Sequence, residues 1–303
     1  ENILKIAFVS VDDHSNYKSW SGLKLNIFKA LKKISKEVYV LPVLPWYFKI
    51  FFKLKRNIFK IFGVKFDSER VVYLSKIYSK ILEKKLQEIN PDIIFTSDSY
   101  AISFLKTKIP IYIWTDATFD AYYNHYFLNQ KIHKDTIKEG NLLDKIAFQK
   151  AKKIFFTSDW AISNCKKKYK IESKKIFYLP FGSNLKNNYK KKYIINKIEK
   201  KSKSKICSLI SIGVDWERKG MTYSYEVLKN LKNLNIKSEL TIIGPKRLPN
   251  KFKNRKDIKF HKFMNKNKNG INSKISNILL NSHFHLLFSK SEAYGVVFAE
   301  ASS

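Results

Sequence analysis

The chain has 303 residues and a hydrophobic fraction of 44%, enough to bury the cores of two α/β domains of ordinary size. No run approaches the roughly 18 apolar residues of a membrane span, and Glu1-Asn-Ile-Leu-Lys5 leads into a strand pattern rather than a signal-peptide layout. The net charge of +34 invites a nucleic-acid reading, but only five basic residues are Arg (Arg56, Arg70, Arg218, Arg247 and Arg255). Specific nucleic-acid readers favour the planar fork of Arg, so no specific nucleic-acid partner is expected. Abundant Lys, Asn and Ile share A/T-rich codons, and genome composition explains much of the excess. The charge can still aid capture of anionic ligands or adsorption to an anionic membrane surface. Cys165 and Cys207 form no pairing or metal pattern and read as free thiols, which fits the cytosol.

In chain order, Leu4–Val9 reads as a strand and Ser10–Trp20 as a polar loop. Gly22 opens a helix with Leu23, Ile27, Leu31 and Ile34 on one face. Val38–Leu41 is a second strand. Pro42–Val64 is aromatic and Lys-rich. Its helix either packs on its own sheet with lysines in water or lies on a membrane surface, and the packed form is the expectation. Ser75–Asn90 reads as a helix and Pro91–Thr96 as a strand. Ile111–Thr115 is another strand, ending at Asp116, which either faces a ligand cleft or caps the next helix. Asn141–Lys150 should be helical. Lys153–Thr157 is a strand, Ser158-Asp159 caps a helix, and Ile176–Leu179 leads into Pro180-Phe-Gly-Ser-Asn184.

Residues 185–205 are rich in Lys and Asn and poor in apolar side chains, so they are expected to link a first domain, 1–184, to a second, 206–303. The second opens with the strand Ile206–Ile212, the glycine-bounded basic turn Gly213-Val-Asp-Trp-Glu-Arg-Lys-Gly220 and a helix from Met221. A turn of this kind at a first βα junction suits a phosphate. His283–Phe288 reads as a buried strand, Ser289–Tyr294 as a turn, and Gly295 as the opening of an apolar helix. Glu292 and Glu300 flank that turn. On spacing alone this is an ordinary βα turn with two solvated glutamates. His283 and His285 share a strand face but no third ligand is evident, and there is no Asp-x-Asp signature, so neither metal nor cofactor is expected.

The stretch Ser291-Glu-Ala-Tyr-Gly-Val-Val-Phe-Ala-Glu-Ala-Ser302 resembles the Glu-x7-Glu motif of retaining, nucleotide-sugar-dependent glycosyltransferases of the GT-B fold, family 4. Gly213–Gly220 resembles that family's pyrophosphate loop, with Val214 where an Arg is usual. Weaker likenesses lie at 10–22, 112–118 and 153–184. The resemblance implies two doubly wound, Rossmann-like α/β domains facing each other across a cleft, the first on the acceptor side and the second binding the donor. The chain stops inside its final helix, so the second domain is expected to be incomplete at the C-terminus and the chain poorly active by itself.

The function implied is transfer of a sugar from a nucleoside-diphosphate sugar to the hydroxyl of a glycan, lipid or small-molecule acceptor, with retention of configuration. Glu292 and Asp116 take the catalytic positions, Asp116 standing where the family often presents a histidine. Donor contacts fall on Gly22, Arg218, Lys219, Tyr294, Gly295, Val296, Val297 and Glu300, the last holding the ribose. The expected setting is cytoplasmic, with peripheral contact at the inner face of the membrane left open. Two other classes stay open: a nucleotide-sugar epimerase of the same fold, and a basic nucleic-acid- or membrane-binding protein.

Overall fold

The computed structural model describes residues 4–16, 19–41, 44–185, 189–266 and 268–303. The chain divides into two compact units, one ending at Pro180 and the other beginning at Phe181.

Unit 1 runs β1 (Ile6–Val9), α1 (Leu23–Ile34), β2 (Val38–Val40), α2 (Trp46–Ile61), β3 (Val64–Lys65), α3 (Val72–Ile89), β4 (Ile93–Thr96), α4 (Ser99–Ile102), β5 (Ile111–Thr115), α5 (Phe119–Tyr126), β6 (Lys131–Ile132), α6 (Lys134–Lys150), β7 (Lys153–Phe156), α7 (Asp159–Tyr169) and β8 (Ile176–Tyr178). Six strands form one parallel sheet in the order β2-β1-β4-β5-β7-β8, and β3 pairs with β6 in a short ladder. Strands covered on both faces cannot alternate in polarity, and all four residues of β1 are fully buried. Ile94, Ile113, Ile154 and Phe156 continue that core, and Leu74, Tyr78, Leu82 and Leu86 of α3 close over one face. Each such side chain contributes about 1.5–3 kcal/mol by leaving water.

Unit 2 runs α8 (Lys191–Ser202), β9 (Cys207–Ile212), α9 (Met221–Asn233), β10 (Ser238–Gly244), β11 (Ile258–Lys262), α10 (Ile271–Asn281), β12 (Phe284–His285) and α11 (Val296–Ala301). Its parallel sheet has the order β11-β10-β9-β12. Leu209, Met221, Leu228, Leu240 and Ile242 form a smaller core.

Several expectations are corrected. The boundary falls at Pro180–Phe181, and the stretch expected as a linker carries α8 within unit 2, where Lys201 Nζ donates to Ser282 O at 2.7 Å. A low apolar count had hidden that helix. The helix expected from Asn141 starts at Lys134, capped by His133, whose Nδ1 accepts from Asp135 N at 3.2 Å. Ile34, expected on the inward face, is exposed in the last residue of α1. The buried strand expected over His283–Phe288 shrinks to β12. Among the described residues it is the edge strand of its sheet, in register with Leu209 and Ile210, and Phe284 is exposed. Among the described residues no helix is long and apolar enough to cross a membrane.

Candidate active site

The order β11-β10-β9-β12 reverses between β9 and β12. From β9 the chain steps outward to β10 and β11, then returns to β12 on the other side. Connections leaving two neighbouring strands in opposite directions open a crevice beyond their C-terminal ends, the usual ligand position in such sheets. The loops that emerge there are Gly213–Gly220 after β9 and Ser289–Gly295 after β12.

The two loops are tied together. Lys290 N donates to Arg218 O at 2.8 Å, and Arg218 Nη1 donates to Ser291 O at 2.9 Å. Glu292 Oε2 takes the Lys219 ammonium in an ion pair, lies 3.6 Å from Arg218 Nη1 and accepts from Ser289 Oγ at 3.2 Å. Asp215 Oδ1 accepts the Arg218 N–H at 2.8 Å and fixes the turn. Three candidate residues, Arg218, Lys219 and Glu292, therefore meet although Glu292 is distant from the other two in sequence.

The glycines make this approach possible. A Cβ on Gly213 would stand 2.6 Å from Lys219 Cγ, so the lysine stem lies where a side chain would be. Gly220, at φ +62°, precedes α9 and leaves no room beside the Phe288 carbonyl. Lys219 is buried, and burial pushes its ammonium below the usual lysine pKa against the opposing pull of Glu292. Charge held this far from water acts more strongly on a neighbouring anion than a surface lysine does.

Glu300 lies on α11 with its carboxylate out of water. Oε1 pairs with Lys266, while Oε2 is buried without a hydrogen-bond partner among the described residues. A buried, unsatisfied carboxylate oxygen costs about 1–3 kcal/mol or more, so the position is set up for a donor that arrives from outside. It borders a cavity of about 330 Å³ lined in part by Ile194, Ile198, Ile210 and His285. Tyr294 is tied down: its hydroxyl donates to Phe181 O at 2.5 Å and its ring meets Phe181 edge-on. Gly295, at φ +76°, precedes α11, which Val296 and Val297 begin.

His285 is half-buried beside Phe298, its two ring nitrogens out of water and neither hydrogen-bonded among the described residues. Burial, helped by the positive charge of Lys219, lowers its pKa from 6.5 to about 4. The unfolded chain therefore binds the proton first. Stability should fall as pH drops from 6.5 towards 4, by at most about 3 kcal/mol from this group. Urea denaturation at pH 7 and pH 4.5 is expected to show a smaller acid loss in His285→Phe than in the unsubstituted protein; equal losses would exclude this role. His283, by contrast, is structural. Its Nδ1 accepts from Ser208 N at 3.0 Å and its Nε2 lies 2.9 Å from Lys201 O. Among the described residues no group of three or more His, Cys, Asp or Glu could hold a metal ion.

In unit 1 the strand order reverses between β1 and β4. The loop after β1 ends in three consecutive left-handed residues, Trp20, Ser21 and Gly22, at φ 47°, 57° and 81°. Non-glycine residues in that region cost about 1–3 kcal/mol each and persist only where other contacts impose them. One such contact joins Trp20 Nε1 to Asp116 Oδ2 at 3.2 Å. Asp116 is not the cap of the following helix, because Thr118 Oγ1 accepts from Ala121 N at 3.1 Å instead. Gly22 is buried and directly precedes α1.

Beneath the loop, buried Lys24 bridges Asp12 at 3.1 Å and Asp98 at 2.8 Å, and Asp98 also accepts the Val11 N–H at 2.9 Å. Burial pushes the Asp12 pKa up, but Lys24 more than offsets this and holds it below the usual value. Sequence reasoning missed Lys24, Asp98, Trp20 and Lys266. The lysines resemble dozens of others, and no spacing marks Asp98 as a partner of the first loop.

No family model matches the chain, and no curated protein sequence matches it. Solved structures do. A glycosyltransferase from Rickettsia africae ESF-5 aligns at TM-score 0.55 and 16% identity, over 95% of this chain and 74% of that one. WaaG, a glycosyltransferase involved in lipopolysaccharide biosynthesis, aligns at TM-score 0.59 and 17% identity, over 98% and 78%. HepE of Anabaena, solved with UDP and glucose, aligns at TM-score 0.54 and 11% identity, over 98% and 78%. At these identities the likeness is one of fold: the chain has the GT-B fold of solved glycosyltransferases, built from two Rossmann-like units.

Proposed function

We propose that the protein is a glycosyltransferase that moves a sugar from a nucleoside-diphosphate sugar to an acceptor hydroxyl. The observation that supports this most is the meeting of Arg218, Lys219 and Glu292 at the β9/β12 reversal, in a chain with the glycosyltransferase fold. A diphosphate arriving there would compete with Glu292 for the two cations. Breaking the glycosidic bond leaves negative charge on the departing diphosphate. Lys219, already desolvated, and Arg218, held by the Ser291 carbonyl, neutralise it without reorganising at the moment of reaction.

Glu292, exchanging Lys219 for the donor, is proposed to accept from sugar hydroxyls and to favour positive charge at the anomeric carbon. Glu300 Oε2 takes the ribose hydroxyls. Gly295, Val296 and Val297 offer backbone to the donor, and Tyr294 holds their turn against Phe181. Within unit 1, Gly22 and Asp116, joined through the Trp20 loop, are proposed as functional residues, with Asp116 in the position of a catalytic histidine. Retention of configuration, a hexosyl donor and family 4 membership rest on the Glu-x7-Glu pattern of 292–300. The fixed cations carry the charge neutralisation, so the step is proposed to need no metal, and the setting to be cytoplasmic. The UDP held by HepE makes a uridine nucleotide the first donor to try.

The test supplies UDP-, GDP- and ADP-sugars with and without glycan, lipid and simple sugar acceptors. Nucleoside diphosphate should be released only when an acceptor is present, and NMR of the product should show the anomeric configuration of the donor. Isomerised donor without any acceptor would replace this reading with an epimerase. An inverted product would refute retention.

A further inference from the structure

Helix α2 presents apolar side chains on two opposite faces. Phe48, Phe52 and Phe59 pack against the core of unit 1, and buried Lys49 pairs with Glu69 at 2.7 Å. That face satisfies the helix. The opposite face is bare. Trp46, Phe51, Leu54, Ile58 and Ile61 recur at helical spacing, Phe62 follows at the helix end, and all six are exposed, Ile61 at 82% and Phe62 at 73%. Sixteen helical residues extend this strip over about 24 Å.

Lys53, Arg56 and Lys60 run along one edge of the strip, and among the described residues none of the three pairs with a carboxylate. The helix contains no Asp or Glu. The sequence expectation, a helix packed on its own sheet, is therefore half the answer: packing consumes one apolar face and leaves the other in water. An apolar strip edged with unpaired cations is complementary to a surface that offers hydrocarbon beneath anionic headgroups. A second copy of the chain fits less well, because pairing the two strips would bring two rows of Lys53, Arg56 and Lys60 together.

We propose that α2 is a membrane-docking helix, which lies in the headgroup region of an anionic bilayer with Trp46, Phe51, Leu54, Ile58, Ile61 and Phe62 inserted and Lys53, Arg56 and Lys60 on lipid phosphates. The proposal is independent of the donor reading.

The experiment is flotation of the full chain with vesicles of phosphatidylglycerol and phosphatidylcholine, and with phosphatidylcholine alone. The comparison variant is Phe51→Ser/Leu54→Ser/Ile61→Ser, which keeps every charge and alters only exposed side chains. A second variant, Lys53→Gln/Arg56→Gln/Lys60→Gln, keeps the apolar strip. Circular dichroism and thermal melts establish that both fold. The expected result is preference for the anionic vesicles, with binding weakened by about tenfold or more in the serine variant and also reduced in the glutamine variant. A protein this basic adsorbs to anionic vesicles by charge alone. Serine-variant binding equal to that of the unsubstituted chain would therefore overturn the proposal. Self-association in sedimentation that the serine changes abolish, without any change in vesicle binding, would overturn it in favour of an interface between copies.

Discussion

Lys219→Met is expected to lower kcat for sugar transfer by about 10²–10³-fold, the usual cost of losing one preorganised charge at a developing anion. Methionine keeps the stem that packs along Gly213, so the fold should be little affected. KM should change less than kcat, because the charge on the leaving diphosphate grows as the bond breaks. Arg218→Met should cost less than Lys219→Met. Arg218 is the more exposed of the two cations, and its guanidinium also holds the Ser291 carbonyl. Steady-state kinetics with the active donor decide the matter, and a kcat for Lys219→Met within about threefold of the unsubstituted value would remove Lys219 from the chemistry.

Gly220→Ala should be strongly damaging to unit 2. At φ +62° a left-handed alanine costs about 1–2 kcal/mol. The added Cβ would also fall 2.0 Å from the Phe288 carbonyl oxygen, a backbone atom that cannot rotate away. The chain beyond Phe288 leads to Glu292, so relief of the clash would part the two loops. The expected loss is about 2–4 kcal/mol of stability, with the Lys219–Glu292 pairing disturbed as well. Gly270→Ala is the matched control. Its φ is +78°, but its Cβ would meet nothing within 4 Å, so it should lose only the conformational part, about 1 kcal/mol. Urea denaturation of the two variants side by side separates clash from conformation, and equal losses would show that the two loops do not meet at Gly220 as described.

Much of this site is legible in the sequence, because its parts are local. Gly213–Gly220 and Glu292–Glu300 are short stretches whose glycines, cations and carboxylates stand out against a chain otherwise filled with lysine. Strand after apolar strand in unit 1 reads correctly for the same reason. Burial on both faces makes Ile6–Val9 a continuous apolar run, and the other strands of the sheet, though less buried, are apolar runs short enough to stand out between polar turns. What the sequence does not contain is adjacency. Nothing in the spacing of residues 218 and 292 says that β9 and β12 are neighbours, and only the sheet order makes Arg218, Lys219 and Glu292 one cluster. Lys266 and Lys24 are invisible for a related reason: among so many lysines, the few that are buried against carboxylates carry no mark. Helix α2 fails differently. With apolar residues on both faces, periodicity cannot say which is turned inward, and packing decides that Phe48, Phe52 and Phe59 face the core while Phe51 and Ile61 do not.

The central claim is that a nucleoside diphosphate binds at the β9/β12 reversal of unit 2, with Glu300 on its ribose. Thermal melting of the protein with UDP, GDP, ADP and their common sugar conjugates, with and without EDTA and repeated on Glu300→Ala, tests it most directly. At about 100 times the dissociation constant, a bound ligand adds roughly 2.7 kcal/mol of stability, a readily measured shift. The account predicts a shift with one base, retained in EDTA and lost in Glu300→Ala. No shift with any nucleotide, or an equal shift in Glu300→Ala, would contradict it.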